Sequence, residues 1–533
     1  MWMTNKIRRT IASRYGKRPQ ERYDDEDFRG IRAYFDYRRA REPQVFALDE
    51  TTWYDLSMDE VFERISNTGS ACGEQLLYYQ LRCPAMNEEE YRRRAELIRL
   101  VEEDPALRQK LQELLFRLGK SNAARTEEVF SPARQGKGRL FLALLLFFGL
   151  LISGFSLLFT RATLPLSLFV LLLCANPLYH VFMTKHLDTH LPSARYSAAL
   201  AAVYTRIRAL ENSALTAWLA PYEEAGRRAR GLGRLGALSM TIDNDILQML
   251  NGLFLWDLIL YERMKIRLGR LQGEVFALHE CIGRIDAAIA AASYRRSVER
   301  YCDPEIRFEA EASPEIQVVD LHHPLLRRSV PNTLDLQGSM LLTGSNASGK
   351  STLIKAASLS VIMAQGICTA LCRSYTAASF HVYTSMALSD DILAEESYFI
   401  TELKAFRRIL QAAQRGERIF CAIDEVLRGT NTVERIAASS VLLEDLGGRQ
   451  LICLAASHDL ELCSLLAGRF AMAHFEEAVV DGRVEFDYRL RPGAACTRNA
   501  IRLLSVMGFD AGLVHQVEDR ASYYLEEGCW PLP

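Results

Sequence analysis

The chain carries no excess of positive charge. Its 64 Lys and Arg stand against 66 Asp and Glu, a net charge of −2 over 533 residues, so any contact with a polyanion is local rather than global. It has no Cys-x-x-Cys pair, and its 12 cysteines keep no metal-ligand spacing with histidine, so no metal cluster is expected. Several thiols lie in apolar runs, as in Ile419-Phe420-Cys421-Ala422 and Leu451-Ile452-Cys453-Leu454. They read as buried, reduced thiols of a cytosolic domain. No apolar stretch follows the basic residues Lys6, Arg8, Arg9, Arg14, Lys17 and Arg18 within signal-peptide range, so secretion is not expected. Residues 1–50 read as a solvated basic segment, with anionic lipid as the sharper alternative.

What is present points to two or three domains. Residues 51–130 have helical periodicity, as in Met58-Asp59-Glu60-Val61-Phe62-Glu63-Arg64-Ile65 and again from Leu107 to Leu118. A Pro, Gly and basic stretch from Ser131 to Arg139 leads into the most apolar part of the chain. Leu140 to Thr160 is 21 residues without a charge and Ala162 to Thr184 another 23, with Arg161 alone between them. Each run is long enough for the roughly 30 Å of a bilayer's hydrocarbon. With Arg134, Lys137 and Arg139 before the pair and Lys185 after it, residues 140–184 predict a transmembrane helical hairpin with both termini cytoplasmic. Residues 185–305 return to amphipathic helix, with Gly226, Gly231, Gly233 and Gly236 as interruptions. Within them Ile246 to Tyr261 is apolar, yet Asn251 and Asp257 favour a packed helix over a third span.

After Asp303-Pro304 the periodicity changes. Ile316 to Leu321, Met340 to Leu342, Ile419 to Ile423 and Gln450 to Ala455 read as strands alternating with helices, an α/β domain with a largely parallel sheet over residues 306–490. Between the second of these strands and a helix stands Gly344-Ser345-Asn346-Ala347-Ser348-Gly349-Lys350-Ser351-Thr352, the Gly-x4-Gly-Lys-Ser pattern of a P-loop. Its glycines let backbone N–H groups converge on phosphate oxygens at a helix N-terminus. Lys350 is expected to reach the β- and γ-phosphates of ATP, and the Ser351 hydroxyl to ligate Mg²⁺. Eighty residues after Gly344, an apolar strand ends in Asp424-Glu425. Asp424 fits the carboxylate that holds magnesium, and Glu425 the base for an attacking water. A further strand ends in Ala456-Ser457-His458, and His458 fits a group that senses the γ-phosphate or positions water.

These residues resemble a family. The P-loop with Asn346, the run Asp424-Glu425-Val426-Leu427-Arg428-Gly429-Thr430-Asn431-Thr432, Ala456-Ser457-His458 and His323-Pro324 together look like the MutS ATPase domain. Ser397-Tyr398-Phe399 with Glu402 resembles the family's signature segment, which implies that Ser397 faces the nucleotide of a partner subunit. Asn67-Thr68-Gly69, Leu76-Leu77-Tyr78 and Leu81-Arg82-Cys83-Pro84 resemble the opening of the family's α-helical core, and Ile285 to Ile306 its close. Residues 491–533, with Pro492-Gly493, Gly508 and Ala521, resemble C-terminal dimerisation helices. About fifty residues precede the core, so the family's mismatch-reading and connector domains are expected to be missing, and the apolar hairpin stands where soluble relatives carry lever helices and a DNA clamp.

The resemblance thus implies a membrane-anchored, dimeric ATPase whose helical arms respond to ATP, with the cytoplasmic membrane as its location. The alternative is a DNA mismatch- or structure-binding protein, with Arg227, Arg228, Arg230 and Arg234 as local phosphate contacts. An ABC transporter is disfavoured: two spans make a poor permeation path, and no Leu-Ser-Gly-Gly-Gln segment precedes Asp424.

Overall fold

The computed structural model describes the chain outside residues 1, 121–136, 161, 241–244, 310, 346–347, 387–397, 428, 481–482, 495–500, 502–503, 505–506, 528–529 and 531–533. Its residues cluster into two compact units that interleave along the chain. The first comprises Met1–Val45, Phe62–Leu81 and Arg92–Val298; the second comprises Phe46–Val61, Arg82–Tyr91 and Glu299–Pro533.

The first unit is helical. The basic N-terminal segment is not a tail but two helices, Trp2–Arg14 and Asp25–Arg41. Asp24 and Asp27 close the second in a reciprocal capping box, and Ile31, Tyr34 and Phe35 bury its apolar face. At the centre lies the helix Gln272–Ser297, buried along most of its length. Its alanines, Ala287 to Ala292 around Ile289, let neighbouring backbones approach. A Cβ on Gly73 would stand 2.2 Å from Asp286 Oδ2, and one on Gly283 would stand 2.6 Å from the Cys72 carbonyl. The glycines of Glu223–Met240 act the same way. They do not interrupt this helix, as the sequence suggested. A Cβ on Gly226 would meet the Tyr204 ring at 2.0 Å, and one on Gly233 the Ala202 amide at 3.0 Å. Glycine here serves packing against the helix Thr163–Arg208.

Among the described residues, two helices are long and apolar enough to cross a membrane, Gly138–Ser156 within Lys137–Ser156 and Thr163–Met183 within Thr163–Arg208. The first stops at Ser156, short of the expected Thr160, whereas the second runs unbroken through Pro177 and Pro192 far past Thr184. Only 17% of the one span and 11% of the other is buried; Phe141, Ile152, Phe155, Leu164, Leu178 and Phe182 are among the large apolar side chains left exposed. The segment Ile246 to Tyr261 is broken, not continuous: Asp245–Phe254 and Trp256–Arg270 meet at Leu255, whose φ is +52°. It holds the apolar pair through polar contacts. Asn176 Nδ2 donates to the Leu253 carbonyl at 2.7 Å, and His180 Nε2 lies 2.8 Å from Asp257 Oδ2.

In the second unit, strands β1 (Glu305–Arg307), β2 (Ile316–Leu321), β3 (Asn332–Leu336) and β5 (Ser374–Ala378) form a four-stranded sheet in the order β1-β5-β2-β3. Strands β4 (Met340–Thr343), β6 (His381–Ser385), β7 (Ile419–Asp424), β8 (Ile452–Ala456), β9 (Ala471–His474) and β12 (Arg491–Pro492) form a six-stranded sheet in the order β12-β9-β4-β8-β7-β6. β10 (Glu477–Val480) and β11 (Arg483–Phe486) make a hairpin. Apart from β12, the six-stranded sheet is parallel, and β7 and β8 are buried at every residue. That continuous burial is the pattern of strands covered on both faces.

Asp286 gives the helical unit a pH dependence. It is fully buried beneath the start of the helix Ala71–Arg82, where the Gly69 and Ser70 amides donate to its carboxylate at 3.0 and 2.8 Å. Burial outweighs these donors and pushes its pKa up to about 6. A group whose folded-state pKa is raised keeps its proton in the folded state, so stability falls as pH rises from about 4 to about 6 and levels off above, by up to about 3 kcal/mol. Thermal melts across that range should show the decline in the native protein and a flatter profile in Asp286→Asn; parallel profiles would refute the assignment.

Candidate functional site

The parallel register brings three strand ends to one edge. Ala456 of β8 pairs with Leu342 of β4 on one side and with Asp424 of β7 on the other. The chain therefore leaves at Thr343, Asp424 and Ala456 along one line, the edge at which open α/β sheets bind ligands. Backbone bonds extend the alignment past the strands: Glu425 N donates to Ala456 O at 3.1 Å, and Ser457 N to Leu342 O at 3.0 Å.

The loop after β4 turns on two glycines in the left-handed region, Gly344 with φ +139° and Gly349 with φ +109°. Gly349 precedes the helix Lys350–Ile367. Lys350 Nζ is folded back on the loop, donating to the Gly344 and Ser345 carbonyls at 2.8 and 2.7 Å. The Ser345 hydroxyl bonds the Glu477 carboxylate. Ser351 and Thr352 are exposed at the first turn of the helix. Asn346 and Ala347, assigned with the rest of this loop to nucleotide binding, lie outside the described residues, as does Ser397.

Glu425 and His458 meet here. Glu425 adopts a left-handed conformation, φ +60°, and so does Leu427, φ +56°, which is costly for a residue with a side chain. The turn sets Glu425 Oε1 2.6 Å from His458 Nε2. His458 Nδ1 lies 3.0 Å from the Gly344 carbonyl and Nε2 faces the Glu425 carboxylate, both of which can only accept, so the two contacts together call for a proton on each ring nitrogen. One ring thus ties Glu425 to the glycine loop. Arg435 fixes the next residue, gripping Asp459 with two nitrogens at 2.7 and 2.9 Å. Glu402 Oε2 accepts from Gly429 N at 3.4 Å. The helix after Asp424-Glu425 is capped by Asn431, whose Oδ1 accepts from Glu434 N, so neither carboxylate is spent as its cap.

Two buried polar atoms at this edge lack a hydrogen-bond partner among the described residues, Ser348 Oγ and Asp424 Oδ1. Asp424 is only 9% exposed. An orphaned buried carboxylate oxygen is costly, and Asp424 lines one cavity with Ser351, a hydroxyl and a carboxylate that are suited ligands for a hard divalent cation.

Two cavities flank the loop. One, of about 410 Å³, is bounded by His323, Asn332, Gly349, Thr352, Phe475 and Tyr488. Asn332 organises this wall, donating from Nδ2 to the Tyr488 carbonyl at 2.9 Å and accepting Leu490 N at 2.7 Å. Burial holds His323 at a pKa of about 4, hence neutral. Aromatic rings beside a glycine loop suit a flat heterocycle. Of this cavity the sequence marked His323-Pro324 and the loop residues Gly349 and Thr352; Asn332, Phe475 and Tyr488 reach it from β3 and from both ends of the β10–β11 hairpin, and no local pattern marks them. The other cavity, of about 450 Å³, adjoins Ser351, Lys355 and Asp424.

Residues 340–524 match the family model described as MutS domain V. The chain is 30% identical over 204 residues to a DNA mismatch repair protein MutS of Thermus caldophilus, covering 37% of this chain and 24% of that one. It is 27% identical over 275 residues to a DNA mismatch repair protein MutS 2 of Haloarcula marismortui (46% and 28%), and 29% identical over 285 residues to a MutS of Chloroflexus aurantiacus (50% and 28%). Over these residues the chain is similar to MutS proteins. It spans about a quarter of the length of the curated relatives it matches. The MutS domain V match opens at the first residue of β4 and takes in the glycine loop, Asp424-Glu425, His458 and Tyr488.

Gly344 tests the loop. A Cβ there would stand 2.9 Å from the Phe475 carbonyl on a backbone already at φ +139°. Gly344→Ala should lose at least about 1 kcal/mol of stability together with binding of a fluorescent adenine nucleotide. An unchanged denaturation midpoint and unchanged binding would show that the loop does not need this conformation.

Proposed function

We propose that the chain is a membrane-anchored, dimeric P-loop ATPase of MutS type, binding and hydrolysing ATP to move its helical arms. One observation carries the reading: the glycine loop, the orphaned Asp424 oxygen and the Glu425–His458 pair converge at one sheet edge. The backbone N–H groups of Gly344 to Thr352 would cradle the phosphates, and Lys350 would leave the Gly344 and Ser345 carbonyls for the β- and γ-phosphates. Ser351 and Asp424 would hold magnesium, which when bound neutralises charge developing on the phosphates. Glu425 accepts the proton of the attacking water, and His458 holds the Glu425 carboxylate and the loop in one frame. Ser397 of a second copy would complete the site.

The anchor is the apolar pair Gly138–Ser156 and Thr163–Met183, whose exposed side chains a bilayer would cover. Both termini would lie on the cytoplasmic side.

The relatives are named as DNA mismatch repair proteins, which favours the second reading, a DNA mismatch- or structure-binding protein. Two of its four candidate phosphate contacts, Arg227 and Arg228, are already engaged. Arg227 pairs with Glu224 at 2.8 Å, and Arg228 with Glu224 and Glu274 at 2.7 and 3.2 Å. This supports a solvated helix face over a phosphate track.

Glu425→Gln should bind ATP as the native protein does and hydrolyse it at least about 100-fold more slowly; full turnover in that variant would remove Glu425 as the base. On cell fractionation the chain should stay with membranes through high-salt and alkaline washes and be released by detergent. Release by salt alone would remove the hairpin as an anchor.

A further inference from the structure

The segment Phe46–Val61 lies far from β4 in sequence yet folds with the second unit. Asp49 caps the helix Glu50–Asp55 through the Thr52 amide at 2.8 Å, and the buried Arg82 guanidinium lies 4.7 Å from the Trp53 ring centre. This helix covers β6, the outer strand of the six-stranded sheet, with side chains in place of a neighbouring strand. Thr52 Oγ1 accepts the Thr384 amide at 3.2 Å; Asp55 Oδ2 accepts the Thr384 hydroxyl at 2.6 Å and the Met386 amide at 3.1 Å. A protected edge strand avoids stray pairing.

The segment also ends in the nucleotide site. Past Ser57, at φ +51°, the chain turns into the helix Met58–Ile65, and Trp53 Nε1 donates to Asp59 Oδ1 at 2.8 Å to fix the turn. Asp55, Asp59 and Glu60 thereby form one side of the cavity of about 450 Å³ whose other side is Ser351, Lys355 and Asp424. Three carboxylates facing a fourth leave one lysine as the opposing charge on this wall. The buried, unpartnered Asp424 oxygen on the same cavity points independently to a cation. Magnesium keeps much of its water shell when bound by one or two protein ligands, so carboxylates across the cavity act on its waters.

We propose that Asp55, Asp59 and Glu60 are positioning residues for magnesium: they hydrogen-bond the waters of an ion held by Ser351 and Asp424, and so make the segment Phe46–Val61 part of the site. The proposal rests on the ATP-binding reading above. Residues that orient a metal's shell typically change its affinity 10–100-fold when removed.

The test is binding of a fluorescent ATP analogue to the detergent-solubilised full chain, in EDTA and across a magnesium titration, for the native protein, Asp55→Asn and the exposed pair Asp59→Asn with Glu60→Gln. The pair, remote from the β6 contacts, should keep the native melting temperature, which covers the case in which Asp55→Asn does not fold. Affinity in EDTA should be unchanged in the pair, and the magnesium concentration for half-maximal enhancement should rise about tenfold or more. A native magnesium dependence in the pair overturns the proposal and leaves the ATP reading intact. Absence of nucleotide binding by the native protein at every magnesium concentration overturns both.

Discussion

The register of β4, β8 and β7 is the constraint on which the site depends. A parallel strand buried on both faces cannot slip by one residue without reversing which side chains meet each neighbouring layer, and Ala456, pairing with both Leu342 and Asp424, locks the three ends together. From that line the chain leaves through left-handed turns at Gly344 and Glu425. Packing of the apolar strands holds these strained turns, and the strained turns aim the polar groups. The Glu425–His458–Gly344 chain of contacts is the result.

Much of this was legible in the sequence because it is local. A strand, a glycine loop and a helix follow one another from Met340 to Ile367, and apolar runs ending in Asp424-Glu425 and Ser457-His458 mark the other two strand ends. What was not legible depends on contacts distant in sequence. Tyr488 and Asn332 meet across 156 residues, and Asp55 reaches Thr384 across 329. Composition misled at two places. Gly226 and Gly233 weigh against a helix by propensity, yet the helix Glu223–Met240 keeps them because Tyr204 and Ala202 leave no room for a Cβ. The basic N-terminus looked solvated on charge alone, whereas the capping box at Asp24 and the buried Ile31, Tyr34 and Phe35 make it a packed helix. In the apolar pair, hydropathy marked the spans but not their ends, since the second helix continues to Arg208 once its polar continuation packs against Glu223–Met240.

The two units pose complementary problems of solvation. In the helical unit, long apolar side chains are left uncovered on Gly138–Ser156 and Thr163–Met183 while the polar Asn176 and His180 turn inward to Leu253 and Asp257. That is the reverse of a water-facing helix pair and the arrangement expected of helices in lipid. In the second unit the uncompensated groups at the strand ends are polar, the Asp424 oxygen and the Ser348 hydroxyl, which lack partners among the described residues. The proposed function answers each deficit, with a bilayer for the one and a cation with its nucleotide for the other.

Phosphate release from ATP by the purified full chain in bilayer discs with magnesium, measured beside Lys350→Ala, addresses the central claim most directly. The account predicts steady turnover by the native protein and none by the variant, whose loop would lack the only lysine in the Gly344 to Thr352 segment. Equal release by the two proteins, or none by the native one, would contradict it.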